Sequence, residues 1–465
     1  MDEVLSALVD IVESGRATQP DDALHAAKRM LLDSIGCALG SYREQVPTII
    51  RSISGRRAKP SGARVFGSDG RLHPDAAVFA NSVMIRFLDY NDTYGSTVGV
   101  GHPSDYIPAA MAQLGEEEIP GELILRSILV GYEVFCRLTD ATRLGVEQID
   151  HVLNGAVASA AAASVANELS SEHTRHALAL AVTANLSLQA TRLGELSMWK
   201  GCAAGNACRN GVFAAELAAA GITGPDSPFT GRGGLFQVTG QELDMRPLGP
   251  SAGPAILGCH VKRFPSGYFS QGAIEAALAV HAELNGRVLA AIEVGTFEFG
   301  KRVMAGDAQK WHPTTRETAD HSIPYVVACA LSRGTVKRSD LDQSRLADPE
   351  IRRLLDGLTV EEDPECAAAW PEACMNRVTV KLEDGSQESK SVRYYRGHAK
   401  NPMSDSELEE KFRDQAESVI TAADADSLRK AIWELDEAGS PEALFAWTAT
   451  SEGKTRPGEE IRAAG

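Results

Sequence analysis

The chain has 465 residues, 43% hydrophobic and 23% charged, so it can bury a large core and is expected to fold as two globular domains. Its formal net charge of −17 argues against a nucleic-acid partner, which requires a basic face. An anionic ligand must then rely on local Lys and Arg, which suffices because salt screens distant charge within about 8 Å.

The N-terminus, MDEVLSALVDIVESG, carries acids where a signal peptide needs Lys or Arg, so a cytoplasmic protein is expected. Pro20-Asp21-Asp22 opens a helix with acids in its first turn. Leu24, Ala27, Leu31 and Ile35 repeat at helical spacing, and Gly40 ends it. The same periodicity predicts helices over 121–140, 151–168, 174–191 and 203–220, with 77–92 a further candidate. Their many alanines predict close, mutually buried packing. The longest apolar run, GAVASAAAASVA (155–166), is too short to span a bilayer, so no membrane partner is expected.

Pro247, Gly249, Pro250, Gly253 and Pro254 read as a linker. Beyond one more helix (270–285) the pattern turns strand-like. IEVGTFEF (292–299) is one candidate strand, and VTVKLEDGSQESKSVRYY (378–395) alternates and turns at Asp384-Gly385 as a hairpin does. Helical pattern returns at NPMSDSELEEKF, where Ser404 and Glu407 form a capping box. The expected fold is therefore mostly α. A large all-helical domain (1–253 and 399–450) is interrupted by a smaller α/β lid domain (254–398), and 451–465 form a loose tail. The eight cysteines are scattered without a CxxC, which argues for reduced, buried thiols and against a zinc or iron–sulfur site.

Four stretches carry chemistry. RFLDYNDTYGSTVGVGHPSD (86–105) concentrates Asp89, Asn91, Asp92, Thr93 and His102 around a glycine-rich break. If 77–92 is a helix, Asp89, Asp92 and Thr93 share one side, and a carboxylate beside His102 raises its pKa for proton transfer. The alternative is that Asp92 and Thr93 merely end a helix and Ser104 caps the next. Asn91-Asp92-Thr93 also fits a glycosylation sequon, which is irrelevant without secretion.

TRLGELSMWKGCAAGNACRNG (191–211) sets Lys200 against an Ala/Gly-rich helix, poised either to meet a carboxylate or to snorkel from a helix end. Its Ser197-x-x-Lys200 lacks the companion motifs of serine acyl-enzymes. CHVKRFPSGYFSQGAIEAAL (259–278) places Lys262 and Arg263 before a loop-to-helix entry suited to a carboxylate. In WHPTTRETADHSIPYVVACAL (311–331), Asp320, His321 and Tyr325 either contribute to the same site or only cap a helix.

Six pieces in register resemble the MmgE/PrpD family, which includes 2-methylcitrate dehydratases and cis-aconitate decarboxylases. They are LLDSIGCALG, NSVMIRFLDYNDTY…GHPSDYIPAA, GELSMWKGCAAGNACRNG, KRFPSGYFSQGAIEAAL, TRETADHSIPY and YYRGHAKNPMS, spread from about residue 20 to residue 415. The resemblance implies a helical domain with an α/β lid, a homodimer, metal-free chemistry without cofactors, and a small-molecule polycarboxylate as substrate. It implies catalytic roles for Asp89, Thr93, His102 and Lys200, with Lys262 from the lid. The wording of the first stretch is nearest to the dehydratases, so water elimination is expected, with decarboxylation, epimerisation or a silent carboxylate-binding paralogue as alternatives.

The chain departs from the family after Phe264-Pro265. Relatives carry a histidine at the position of Gly267 (decarboxylases) or Phe269 (dehydratases), and this chain has neither. Tyr268 and His321 are the candidate substitutes. The expected division of labour is His102, oriented by Asp89, for proton transfer and Lys200 and Lys262 for the carboxylates. Thr93 and Asn91 would hold the hydroxyl or a carboxylate oxygen, and Asp92, Tyr268, His321 and Tyr325 would complete the substrate-binding set.

Overall fold

Alanine and glycine at helix contacts draw the first half of the chain together. In the computed structural model, which describes residues 2–96, 99–115, 118–142, 149–250, 253–437 and 442–448, the helix Val152–Ala166 is buried along its whole length. The helices Gly121–Ala141 and Trp199–Ala219 pack on either side of it. Gly155 admits a third neighbour, the 3₁₀ segment Pro103–Met111: a Cβ there would lie 1.7 Å from Cζ of Tyr106. The expected tail 451–465 lies outside the described residues.

The predicted helix at Asp21–Gly40 forms with Pro20 as its cap. The C-terminal helix Asp405–Ala416 returns to it, started by the expected Ser404/Glu407 capping box. A buried ion pair, Lys411 to Asp33 at 2.6 Å, joins the two. Three expectations are corrected at their ends. The helix expected over 174–191 is Ser171–Ala184, and the strand expected over 292–299 is Leu289–Thr296, followed by a helix Glu298–Ala305. The helix expected over 77–92 is Pro74–Phe87.

The α/β part is a four-stranded sheet in the order Leu358–Glu362, Leu289–Thr296, Asn376–Leu382, Gln387–Val392, whose first pair is parallel and the rest antiparallel. Val378, Val380 and Leu382 point inward, as the alternation of the sequence requires. The helix Gln271–Leu284 covers that face. The protein is thus mostly α with a smaller α/β part.

Among the described residues, beside two small satellite clusters, two large apolar cores form. One gathers side chains from Val4 to Val261 and from Met403 to Phe445, and the other from Phe264 to Tyr395. Ile256, Cys259 and Val261, expected with the smaller unit, pack into the helical core. The seam between the cores therefore falls at Lys262-Arg263. Among the described residues no helix is long and apolar enough to cross a membrane, and all eight cysteines are buried free thiols.

Candidate active site

The helix Pro74–Phe87 stops short, and Asp89 follows with φ of +51°, a left-handed conformation that Asp tolerates better than most residues. Its carboxylate is buried and meets four basic groups. Arg86 approaches in two-pronged fashion, Nη1 at 3.0 Å from Oδ1 and Nη2 at 3.3 Å from Oδ2. Lys262 donates to Oδ1 and, at 2.9 Å, to the Asp89 carbonyl. Lys200 Nζ and His321 Nδ1 each stand 3.2 Å from Oδ2. Burial alone would push this carboxyl up, but the surrounding cations, Arg86 first, hold it well below the usual carboxylate range.

Asp320 extends the group. It accepts from Lys200 at 2.7 Å and lies 2.5 Å from His321 Nδ1. The segments 86–89 and 320–321, far apart in the chain, thus converge with Lys200 and Lys262 on one buried cluster. Asp89, Asp320 and His321 could in principle offer ligand atoms to a metal, all within 4.8 Å of one another. Arg86, Lys200 and Lys262 already neutralise these donors, so a dication would meet three cations, and the set does not fit a metal centre.

His102 precedes the 3₁₀ segment Pro103–Met111 and is nearly buried. Its Nδ1 lies 2.8 Å from the carbonyl of Asp92 and 3.2 Å from Thr93 Oγ1. A carbonyl only accepts, so Nδ1 carries the hydrogen and Nε2 the lone pair. This corrects the expected pairing, because Asp92's main chain, not the Asp89 carboxylate, orients the imidazole. The expected upward pKa shift is also reversed. Burial first, then Arg86 and Lys262, pushes His102 well below its ordinary value and outweighs the opposite pull of Asp89. The imidazole is neutral near pH 7 and available as a base.

A second imidazole, which the sequence analysis missed, stands edge-on to it: the His102 and His151 ring centroids are 5.8 Å apart. His151 Nδ1 pairs with Asp150 at 2.8 Å, and Arg192 holds the other oxygen of Asp150 at 3.0 Å. Nε2 of His151 is buried without a partner. The sequence signal was the adjacent acid–imidazole pair Asp150-His151 opening an otherwise apolar helix. Arg86 was also missed, a lone guanidinium in the apolar run SVMIRFL.

The remaining expected residues divide. Thr93 is locked by main-chain bonds to His260, both 2.8 Å, and stays beside His102. Asn91 has its Nδ2 committed to Ser104 and Asp105, both at 2.8 Å, while its Oδ1 is buried without a partner. The Asp92 carboxylate accepts from the Ser104 amide and the Tyr132 hydroxyl, which ties it to the loop rather than to a ligand. The capping alternative does not hold as expected, since the helix ends at Phe87 and the cap position before Pro103–Met111 is His102, not Ser104. Tyr268 packs among His260, Tyr395 and Phe269, and does not join the Asp89 cluster. Tyr325 points into the α/β core, where its hydroxyl donates to the Asp340 carbonyl at 2.7 Å. His321, of the two proposed substitutes for the absent histidine, is the one placed in the cluster. Gly267 and Phe269 themselves face Met304 and the Phe297–Trp370 aromatic group.

Comparison with known proteins places the chain in a family. Residues 6–247 match the MmgE/PrpD N-terminal domain and residues 264–437 the MmgE/PrpD C-terminal domain. The chain is 29% identical to a 2-methylcitrate dehydratase of Salmonella typhi, over 81% of this chain and 82% of the relative. It is 28% identical to a 2-methylcitrate dehydratase of Cupriavidus necator, over 89% of each. It is 26% identical to a human cis-aconitate decarboxylase, over 90% of this chain and 88% of the relative.

Proposed function

We propose that this chain, which belongs to the MmgE/PrpD family, is a lyase that eliminates water from a di- or tricarboxylic hydroxy acid resembling 2-methylcitrate. Water elimination needs a base for the proton α to a carboxylate, positive charge for the carbanionic intermediate, and a proton for the departing hydroxyl. His102, neutral and presenting Nε2, takes the α-proton, and His151 stands beside it as a second acceptor. The C–O bond then breaks, and the hydroxyl leaves as water with a proton from the Lys200–Asp320–His321 group. Arg86 and Lys262 fix Asp89, which in turn fixes Lys200. The Asp92 carbonyl, fixing the His102 tautomer, is the observation that carries this proposal.

A homodimer in the cytoplasm goes with it. Leu186, Leu188, Leu193, Met198, Trp199 and Phe213 are exposed apolar side chains at and before the helix Trp199–Ala219, a suitable face for a second copy. Buried free thiols suit a reducing compartment.

The test is incubation with a panel of citrate-like and malate-like acids, scored by mass spectrometry. Loss of water from at least one hydroxy acid is expected. Release of carbon dioxide, or inversion at unchanged mass, would replace dehydration by one of the alternatives.

A further inference from the structure

Lys200 and Lys262, the ammonium groups expected to receive the substrate's carboxylates, are both already held by Asp89, and Lys200 by Asp320 as well. A polyanion entering the site needs positive charge that no protein carboxylate has claimed. Lys310 supplies it. Its side chain is only 3% exposed, and among the described residues no hydrogen bond or ion pair reaches its ammonium. The residue as a whole is buried while its ammonium keeps an opening to solvent. A charge so largely desolvated and without a protein carboxylate is costly, which calls for an anionic partner in the working state.

The backbone around Lys310 is firmly held. Its amide donates to the Asp307 carbonyl at 3.0 Å, its carbonyl accepts from Ser322 Oγ, and Trp311 Nε1 donates to the Ala305 carbonyl at 2.9 Å. Ser322 follows His321 directly, so the segment that carries Lys310 is tied to the segment that carries the cluster. The charged groups it senses are Lys200, Asp320, Asp307 and Asp89. Burial and Lys200 together lower its pKa to about 8, even against the three acids.

We infer that Lys310 receives a carboxylate of the substrate that Lys200 and Lys262 are not free to bind, and so sets how many carboxylates the site demands, an inference that rests on the polycarboxylate reading above. Arg316, on the same segment, is a second buried cation whose three guanidinium nitrogens lack partners, but it lies over the Phe87 ring at 5.6 Å rather than against the Lys200 group.

The test uses tricarballylate, a tricarboxylate with no hydroxyl to eliminate, and succinate as its two-carboxylate counterpart. Calorimetric binding and thermal unfolding are measured for the full-length wild type, Lys310→Met and Lys310→Arg. Lys310→Met is expected to weaken tricarballylate binding about 10- to 100-fold, the scale of one charge-assisted contact, while succinate affinity changes far less. Lys310→Arg should restore part of the loss, and ligand-free Lys310→Met should melt no lower than wild type. Unchanged tricarballylate affinity in Lys310→Met overturns the inference. So does a lower melting temperature with no rescue by Arg, which marks a structural lysine, and so does a wild type that binds neither acid. Lys310-dependent binding in a protein that dehydrates no hydroxy acid would instead sustain the inference and remove the hydro-lyase proposal.

Discussion

Lys262 binds Asp89 twice, through the carboxylate and through the main-chain carbonyl, although 173 residues separate them. The contact closes the seam between the two apolar cores at the point where the helical core ends and the α/β core begins. It also holds Asp89 where Arg86, Lys200 and His321 can reach it.

Asp89→Asn removes the anion from among these cations. Stability should fall by about 3–5 kcal/mol in chemical denaturation, the scale for a broken buried ion pair, with turnover reduced at least about 100-fold. The folded carboxyl lies below its ordinary value of 3.8, so its stabilisation is complete above that pH and is lost only as pH falls through the folded value. The gap between wild type and variant should therefore be constant across neutral pH and close only in strong acid.

The pH profile of kcat/KM should lack an acid limb at the ordinary imidazole value of 6.5, because His102 titrates well below it. An alkaline limb near pH 8 is expected from Lys310, whose deprotonation removes the proposed carboxylate partner. Lys310→Arg should move that limb upward. Initial rates from pH 5 to 10 decide both points.

Asp92→Asn should keep turnover within several-fold of wild type, in contrast to Asp89→Asn, because the Asp92 side chain serves Ser104 and Tyr132. Burial raises the Asp92 carboxyl from 3.8 to about 6 in the fold, so ionisation opposes folding. The variant's stability relative to wild type should rise as pH rises from about 4 through 6, which thermal unfolding at stepped pH measures.

Lys310→Met offers the opposite pH signature. With a folded pKa of about 8 against 10.5 unfolded, the lysine's charge is a cost that is full below pH 8 and fades as pH rises to 10.5. The variant's advantage in melting temperature should be largest at pH 7 and smallest near pH 10.

Much of the helical frame was legible because periodicity, Pro20 at a helix start and the Ser404/Glu407 box are local signals. The hairpin was legible for the same reason, with Gly385 at φ of +83° where the turn requires it. The end of the helix before Asp89 was not, since nothing between Phe87 and Asp92 breaks a helix by composition. Burying Asp89 among cations from three other segments is what holds its left-handed backbone, and that is a tertiary effect. Convergence of Asp89, Lys200 and Lys262 followed from the family resemblance rather than from spacing, and His321 entered as a candidate substitute for the absent histidine. The acid at His102 was misassigned because proximity in sequence says nothing about which oxygen, main-chain or carboxylate, faces a ring. Lys310 escaped notice because a single lysine in the polar stretch GDAQKWHPTT reads as a surface position, and His151 because its pairing with Asp150 reads equally as a helix start.

The most direct measurement is the rate of water elimination by His102→Ala against wild type, on whichever hydroxy acid the panel identifies, followed by mass spectrometry of the unsaturated product. At least about a 100-fold loss is expected with the fold intact by circular dichroism, as for a group that moves a proton in the rate-limiting step. A variant that forms the product as fast as wild type would contradict the assignment of proton transfer to His102.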